Sequence, residues 1–398
     1  MDSVADDSEW HGHARGSAEY RRILIALGAA GLATFAQLYS PQGLLPMIGR
    51  ELQVSADRAA LTISVSTFAL ALSVLAWSAL ADRIGRLPAM RIALIMAACL
   101  GLLSPLAPTF EALLILRFVE GVAIGGVPAL AVTFLHEEVA AEHTAVAAST
   151  YISGTSIGGL LGRLVAAPFA DLAGWRAGMV AVSVMAAFAV VIFLVAVPRA
   201  RGFRPTQAQH NVWHGLSANL RDRSMLVLFA QGFLLMGGFV ATYNYLTFRL
   251  EDPPFDLPVS IIALIFLAYL AGTASARVAG GLAQRYGRRP VLLISVAVMI
   301  IGVLITLPDW LPSVLFGLIV LTTGFFAAHS ISAGWVGHRA TAGPAQATSL
   351  YNLAYYGGSS LFGWAGGLAF LLGWGGTAAM VIALALVALL LAAGSRLR

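Results

Sequence analysis

Stretches of about twenty mostly apolar residues alternate with short polar breaks along nearly the whole chain. At about 20 residues per membrane-spanning helix, the apolar runs are 22–45, 59–80, 90–107, 111–135, 145–170 and 175–197. After the one long polar stretch inside the chain, 198–224, they resume as 225–248, 259–282, 291–307, 313–336, 345–372 and 374–393. Six runs, a linker and six more predict an all-α membrane protein of twelve transmembrane helices.

The two sets of six repeat one another. LADRIGRLP at 80–88 returns as LAQRYGRRP at 282–290, a shift of 202 residues (282 − 80). Each copy joins two apolar runs and is too short for anything but a tight turn. Ser149, Tyr151 and Gly158 match Ser349, Tyr351 and Gly358 at a shift of 200. Gly174-Trp175 matches Gly373-Trp374 at 199, and Gly121 matches Gly324 at 203. Near-constant shifts over several loops mark a doubled bundle. Because six is even, both copies enter the membrane the same way round, as parallel repeats about an axis along the membrane normal. Doubled membrane bundles mostly belong to transporters. The expected organisation is a tail at 1–20, a six-helix bundle at 21–197, a linker at 198–224, a second bundle at 225–394 and a short end at 395–398.

Composition supports lipid as the solvent: 59% of residues are hydrophobic and 11% charged, against about 25% charged in soluble domains. The mean hydropathy is +0.83. The single cysteine, Cys99, excludes an intrachain disulfide, and no metal or cofactor motif is present. All 24 basic residues are arginine, and their placement orients the chain. With the N-terminus inside, seventeen fall on that side, including Arg15, Arg204, Arg396 and Arg398. The opposite loops hold only Arg50, Arg58, Arg176 and Arg249, while Arg117, Arg163 and Arg277 lie within spans. The excess of positive charge puts both termini and the linker in the cytoplasm. The net charge of +5 therefore implies topology, not nucleic-acid binding. The polar start, MDSVADDSEWHGHARGSAEY, lacks a basic leader and cleavage site and reads as a short disordered tail.

With these features the chain resembles the major facilitator superfamily. That family's turn between helices two and three, Gly-x-Leu-Ala-Asp-Arg-x-Gly-Arg-Lys/Arg, appears here as Ser78, Leu80, Ala81, Asp82, Arg83, Gly85, Arg86 and Leu87. Ser78 departs from the leading glycine and Leu87 from the final base. The second copy keeps Gly280, Arg288 and Arg289 but has Gln284 for the acid. Arg117 and Gly121 match the family's Arg-x-x-x-Gly on helix four. GTSIGGLLGR at 154–163 is similar to the glycine-rich segment of antiporters, without its proline. Strings such as GLATFAQLYSPQGLLP, GFLLMGGFV and SLYNLAYYGGSS resemble the YnfM-type, drug-export-like branch. The resemblance implies the major facilitator fold, two pseudo-symmetric six-helix halves, and a cytoplasmic latch at Asp82, Arg83, Gly85 and Arg86.

Candidate chemistry lies inside the spans. Arg117 and Glu120, three apart, share a helix face. Buried charge in lipid faces a partner or a wet cavity, so the pair is either a self-neutralising brace or a proton-coupling site. His329 is a third proton candidate, since histidine changes charge near neutral pH. Arg163 could bind an anionic cargo group or pair with Glu120 or Asp171, and Arg277 could snorkel to the cytoplasmic surface. Of the aromatic and amide residues on helices one, five, seven, ten and eleven, the cargo-site candidates are Gln37, Tyr151, Gln231, Asn352 and Tyr355, beside Arg163. Tyr243 and Tyr245 read as an interfacial belt. Gly154, Gly158 and Gly162 on helix five, and Gly357, Gly358, Gly363 and Gly367 on helix eleven, have the spacing of close helix contact, expected where the halves slide past each other.

The expected function is a secondary transporter of a bacterial inner membrane, not an enzyme. It works by alternating access and exports hydrophobic or amphipathic small molecules in exchange for protons. Its partners are the small-molecule cargo, protons and the lipid bilayer, with no nucleic acid, and a monomer is expected. The alternatives are a proton-linked symporter importing a sugar or organic acid, and a non-transporting sensor on the same fold.

Overall fold

The computed structural model describes residues 10–203, 212–340 and 343–395. Parts of the expected tail (1–9), linker (204–211) and C-terminal end (396–398), with Arg204, Arg396 and Arg398, lie outside the described residues. Nine helical runs among the described residues are long and apolar enough to cross a membrane. One of these runs holds two spans, and a broken helix and one further long helix bring the total to twelve.

The first span is α1 (Ala18–Tyr39), a 3-10 turn (Ser40–Leu44) and α2 (Leu45–Glu51). Pro41 and Pro46 open the last two pieces, where a missing N–H costs nothing. Spans two and three are α3 (Ala56–Ile84) and α4 (Arg86–Leu103). The fourth is broken into α5 (Phe110–Ile124) and α6 (Pro128–Glu138). At the break a Cβ on Gly126 would sit 2.7 Å from the Trp77 ring and one on Gly125 would meet Ser73, so the glycines let α3 press against the interrupted backbone. Spans five and six run together as α7 (Thr144–Ala196), divided at Ala173 and Gly174.

A short amphipathic helix, α8 (Val212–Arg221), occupies part of the linker. Span seven is α9 (Arg223–Glu251). Span eight is α10 (Val259–Ile262), a 3-10 turn (Ala263–Leu267) and α11 (Ala268–Tyr286). Spans nine to twelve are α12 (Arg288–Ile305), α13 (Leu311–Arg339), α14 (Pro344–Phe370) and α15 (Gly373–Gly394). The twelve-helix architecture therefore stands. The duplicated turn keeps its backbone in both copies: φ/ψ is 95°/153° at Gly85 and 90°/154° at Gly287. Positive φ there is why both copies carry glycine.

Side chains on the outer surface of the bundle are large and apolar, for example Phe188, Val195, Ile294, Phe316 and Leu390, the reverse of a water-soluble protein. Within the first half, two apolar clusters form. One centres on Ile23, Leu94, Phe134 and Phe193; the other, on Leu44, Leu113, Trp175 and Val182, also takes in Val259 and Ala263 of the second half. In the second half a single cluster spreads from Leu228, Phe239, Leu321 and Phe325 across to Leu38, Tyr39 and Ile63 of the first. It is the apolar part of the seam between the halves.

Residues 10–17 differ from the expected tail. Trp10 donates its indole N–H to the Glu137 carbonyl at 2.9 Å, and His13 pairs its backbone with Glu138 and Ala140. Beside it, the Glu138 carboxylate accepts the backbone N–H groups of Arg201 and Gly202, each at 2.7 Å. The chain before span one and the chain after span six thus strap the end of α6. A tryptophan in an otherwise polar start is the visible signal in the sequence.

Candidate functional site

Hydrogen bonds across the seam gather at the end away from the termini. Gln42 Nε2 donates to Asn244 Oδ1 at 2.7 Å, joining spans one and seven, and Arg50 meets Glu251 at 2.6 Å further out. The Ser260 N–H donates to Asp171 at 2.9 Å, and the Ser360 hydroxyl donates to the Ser64 carbonyl at 2.7 Å. At that same far end α7 meets α10 and the 263–267 turn, and α3 packs against α14; toward the terminus-bearing end α7 makes little contact with α11. Thr273 and Arg277 on α11 are exposed there.

Just inside this closure lies Arg163 on α7, almost wholly buried. Its guanidinium donates to Gln42 Oε1 and to the Gly159 carbonyl, and reaches the Tyr269 hydroxyl at 3.4 Å. The rings of Tyr39, Phe266 and Tyr269 surround it at 4.5, 4.6 and 5.0 Å. It pairs with neither Glu120 nor Asp171.

A column of rings leads on from this point through the second half. Tyr243 stacks on Phe266 (5.2 Å) and Phe239 on Phe325 (4.0 Å). Phe325 then stacks on His329, which contacts Tyr355 at 4.7 Å. His329 Nδ1 shares a 2.9 Å hydrogen bond with the Tyr351 hydroxyl. The structure thus brings Arg163, His329 and Tyr355 to one aromatic wall. Tyr243 and Tyr245, expected at the interface with water, are instead fully buried. The Tyr243 hydroxyl bonds Thr322, and that of Tyr245 donates to the Gly363 carbonyl.

Other candidates fall elsewhere. Tyr151 is buried with its hydroxyl unbonded among the described residues. Asn352 is exposed and lines a groove with Leu72, Leu75, Leu216 and Tyr356. Gln37 and Gln231 turn away from the seam. Gln37 donates to the Ala97 carbonyl of α4 at 3.2 Å, and Gln231 to the Ala388 carbonyl of α15 at 2.8 Å. Both fasten peripheral helices of their own half.

Arg117 and Glu120 are a buried ion pair at 2.8 Å. Arg117 also donates to the carbonyls of Thr62 (3.0 Å), Gln37 (3.2 Å) and Leu38 (2.7 Å), and the Ser104 hydroxyl donates to Glu120 at 3.1 Å. The pair therefore binds α1, α3 and the end of α4 to α5, within the first half.

At the duplicated turn, Arg86 sits between Asp82 (2.5 Å) and Glu137 of α6 (3.2 Å). Gly85 supplies the bend and Arg83 is exposed. In the second copy Arg289 donates to the Ala393 carbonyl, and elsewhere in the second half Arg339 meets Asp222 at 3.2 Å.

The glycines correct one expectation. A Cβ on Gly154, Gly158 or Gly162 would lie 2.4 Å from the carbonyls of Gly28, Leu32 and Ala36 respectively. These residues belong to α1 of the same half, and Gly358 likewise abuts Phe233 of α9. They lock helices within a half. Glycines that do face the other half include Gly363, against Ser64, and Gly367, against Asp57.

The family model described as the Major Facilitator Superfamily matches residues 25–363. The chain belongs to the major facilitator superfamily. It is 40% identical over 385 residues to the inner membrane transport protein YnfM of Escherichia coli (strain K12), covering 96% of this chain and 92% of that one. It is 38% identical to the MFS-type transporter YybF of Bacillus subtilis (strain 168), over 94% and 93% of the two chains. The fold is similar to a bacterial homolog of the human lysosomal transporter Spinster in an inward-facing, occupied conformation. There the TM-score is 0.77 at 15% identity, over 95% and 96% of the chains. As a superfamily member, this is a multi-pass membrane transporter for small molecules and not an enzyme.

Within this superfamily member, sequence reading passes over Phe266 and Tyr269, which complete the cage of Arg163, and Glu137, the second acid on Arg86. A clue lies in the repeat: Phe266 stands 202 residues after Ser64 (266 − 64), a position on span two facing the other half.

Proposed function

We propose that the protein is a proton-coupled antiporter that exports hydrophobic or amphipathic small molecules from the cytoplasm by alternating access. The observation that carries this reading is the one-sided closure. Cross-seam bonds gather at the end away from the termini, while an aromatic wall lies between the halves beneath them. In this reading the terminus-bearing end is cytoplasmic, supported by the arginine excess there, and the structure corresponds to the inward-facing state. The two six-helix bundles, 21–197 and 225–394, rock about the cargo site.

Aromatic walls with few polar groups suit a flat amphipathic cargo, held near Arg163 and Tyr355. Glu120, braced by Arg117, is the proton-carrying acid, with His329 as a relay beside the cargo. Asp82 is the latch: free of α14 here, it engages the second half when the cytoplasmic end shuts. Purified protein in liposomes under an imposed pH gradient tests the reading. Dye efflux should accelerate when the gradient is applied and stop when an ionophore collapses it. Efflux indifferent to the gradient overturns proton coupling.

A further inference from the structure

The repeat makes Arg163 an anomaly. Gly162 packs on Ala36 of α1, and the corresponding contact of the second half joins Phe362 and Gly237, at shifts of 200 (362 − 162) and 201 (237 − 36). One residue further, Arg163 corresponds to Gly363. Their partners correspond as well, since Asn244 follows Gln42 by 202. In the first half Arg163 donates to the Gln42 side chain. In the second, the Asn244 side chain donates to the Gly363 carbonyl at 3.4 Å. A glycine completes this corner in one half, so packing alone does not call for a guanidinium in the other.

The cation is also un-neutralised. Arg163 is 2% exposed, yet its acceptors are an amide, a backbone carbonyl and a phenol. No carboxylate lies within ion-pair distance of it among the described residues, whereas Arg117 has Glu120. Buried charges are ordinarily paired, and cation–π contact with three rings offsets only part of the deficit.

We propose that Arg163 is the anion-binding point of the cargo site, and that the cargo class is an amphipathic organic anion: a carboxylate on an aromatic or apolar body. This rests on the transport reading above and names its cargo. The carboxylate takes the guanidinium edge that Gln42 Oε1 now occupies, with bidentate geometry available to it. The body lies along the rings of Tyr39, Phe266 and Tyr269. Gln42 also holds Asn244 across the seam, so an anion that displaces Gln42 from Arg163 loosens the closure, and occupancy is coupled to opening.

Binding of radiolabelled indole-3-acetate to the purified full-length chain in detergent, beside indole-3-acetamide and tryptamine, tests the proposal. The wild type should prefer the carboxylate to the amide and the amine by about tenfold or more. Arg163→Gln should lose the preference and Arg163→Lys should keep part of it. Gln42→Ala should raise carboxylate affinity severalfold, because the guanidinium loses a competing acceptor; a purely structural arginine predicts no such gain. Absent carboxylate binding, equal binding of acid and amide, or an undiminished preference in Arg163→Gln overturns the anion site. Unchanged or weakened affinity in Gln42→Ala overturns the coupling. If the anion site fails while gradient-driven dye efflux persists, the antiporter reading stands. Gradient-insensitive efflux with intact carboxylate preference does the opposite, overturning proton coupling and leaving the anion site in place.

Discussion

Asn244→Ala measures how firmly the far end is shut. Gln42 and Asn244 are fully buried and their amides meet at 2.7 Å. In the closed state the substitution strands the Gln42 N–H in a dry seam, at about 1–3 kcal/mol. In the opened state water takes the place of the lost acceptor. The closed state is therefore disfavoured by about 2 kcal/mol, which is about thirtyfold in population. The neighbouring Arg50–Glu251 pair is shorter, 2.6 Å, but the Arg50 side chain is 60% exposed. Such a pair contributes about 0.2–1 kcal/mol, so Glu251→Gln should shift the population by about fivefold at most. Burial outweighs charge. Ser64→Cys in a Cys99→Ser background reports the opening, because Ser64 is covered by Ser360 and Gly363 of α14. Labelling by a membrane-impermeant maleimide should speed up tenfold or more with Asn244→Ala, about the lower part of that range, and clearly less with Glu251→Gln. A labelling rate unchanged by Asn244→Ala, or an effect of Glu251→Gln exceeding it, would refute the reasoning.

Further outcomes follow from the same contacts. Glu120→Gln leaves the buried Arg117 guanidinium without its carboxylate and should cost about 3–5 kcal/mol, read by denaturant unfolding in detergent; a wild-type midpoint would count against the brace. Gly158→Ala puts a Cβ 2.4 Å from the Leu32 carbonyl and should cost about 1–3 kcal/mol. Gly281→Ala, with nothing within 4 Å, should stay within about 0.5 kcal/mol, and equal melting shifts for the two would contradict the packing. Asp82→Asn should impair transport in liposomes while leaving membrane insertion intact, and normal flux would remove the latch.

The spans are legible in the sequence because lipid forces each crossing to satisfy its own backbone and show apolar side chains outward. The finer breaks are written in Pro41, Pro46 and Pro128, but apolar periodicity hides them. What sequence does not supply is the direction in which each polar residue points. Every inner helix has neighbours on most sides, so an amide in a span can face the seam or a peripheral helix. Gln42 does the first and Gln37, five residues earlier and on another face, the second. Arg163 has three open partners in sequence, and only the rotation of α7 about its axis selects Gln42 and the rings. The glycines of α7 announce close contacts but not with whom, because GxxxG spacing states closeness and not identity of the partner. The neighbour is α1 of the same half rather than the sliding surface.

The repeat governs contacts as well as topology. Gln42 pairs with Asn244 and Arg50 with Glu251, at separations of 202 and 201 residues, which is the repeat shift itself. A residue that touches its own repeat counterpart must lie on the two-fold axis, so spans one and seven meet there. Off-axis contacts must instead come in twos: Gly363 against Ser64 has its counterpart in Arg163 against Phe266. Closing the bundle needs only what both members of such a pair share. Charges found in one member alone are therefore surplus to closure. Asp82 against Gln284 is one such difference, at the terminus-bearing end, and Arg163 against Gly363 is another, at the seam. Both of these charges belong to the first half, one at the terminus-bearing end and the other just inside the closed end. That is the arrangement expected if one controls the cytoplasmic latch and the other senses what has arrived beneath the closed end.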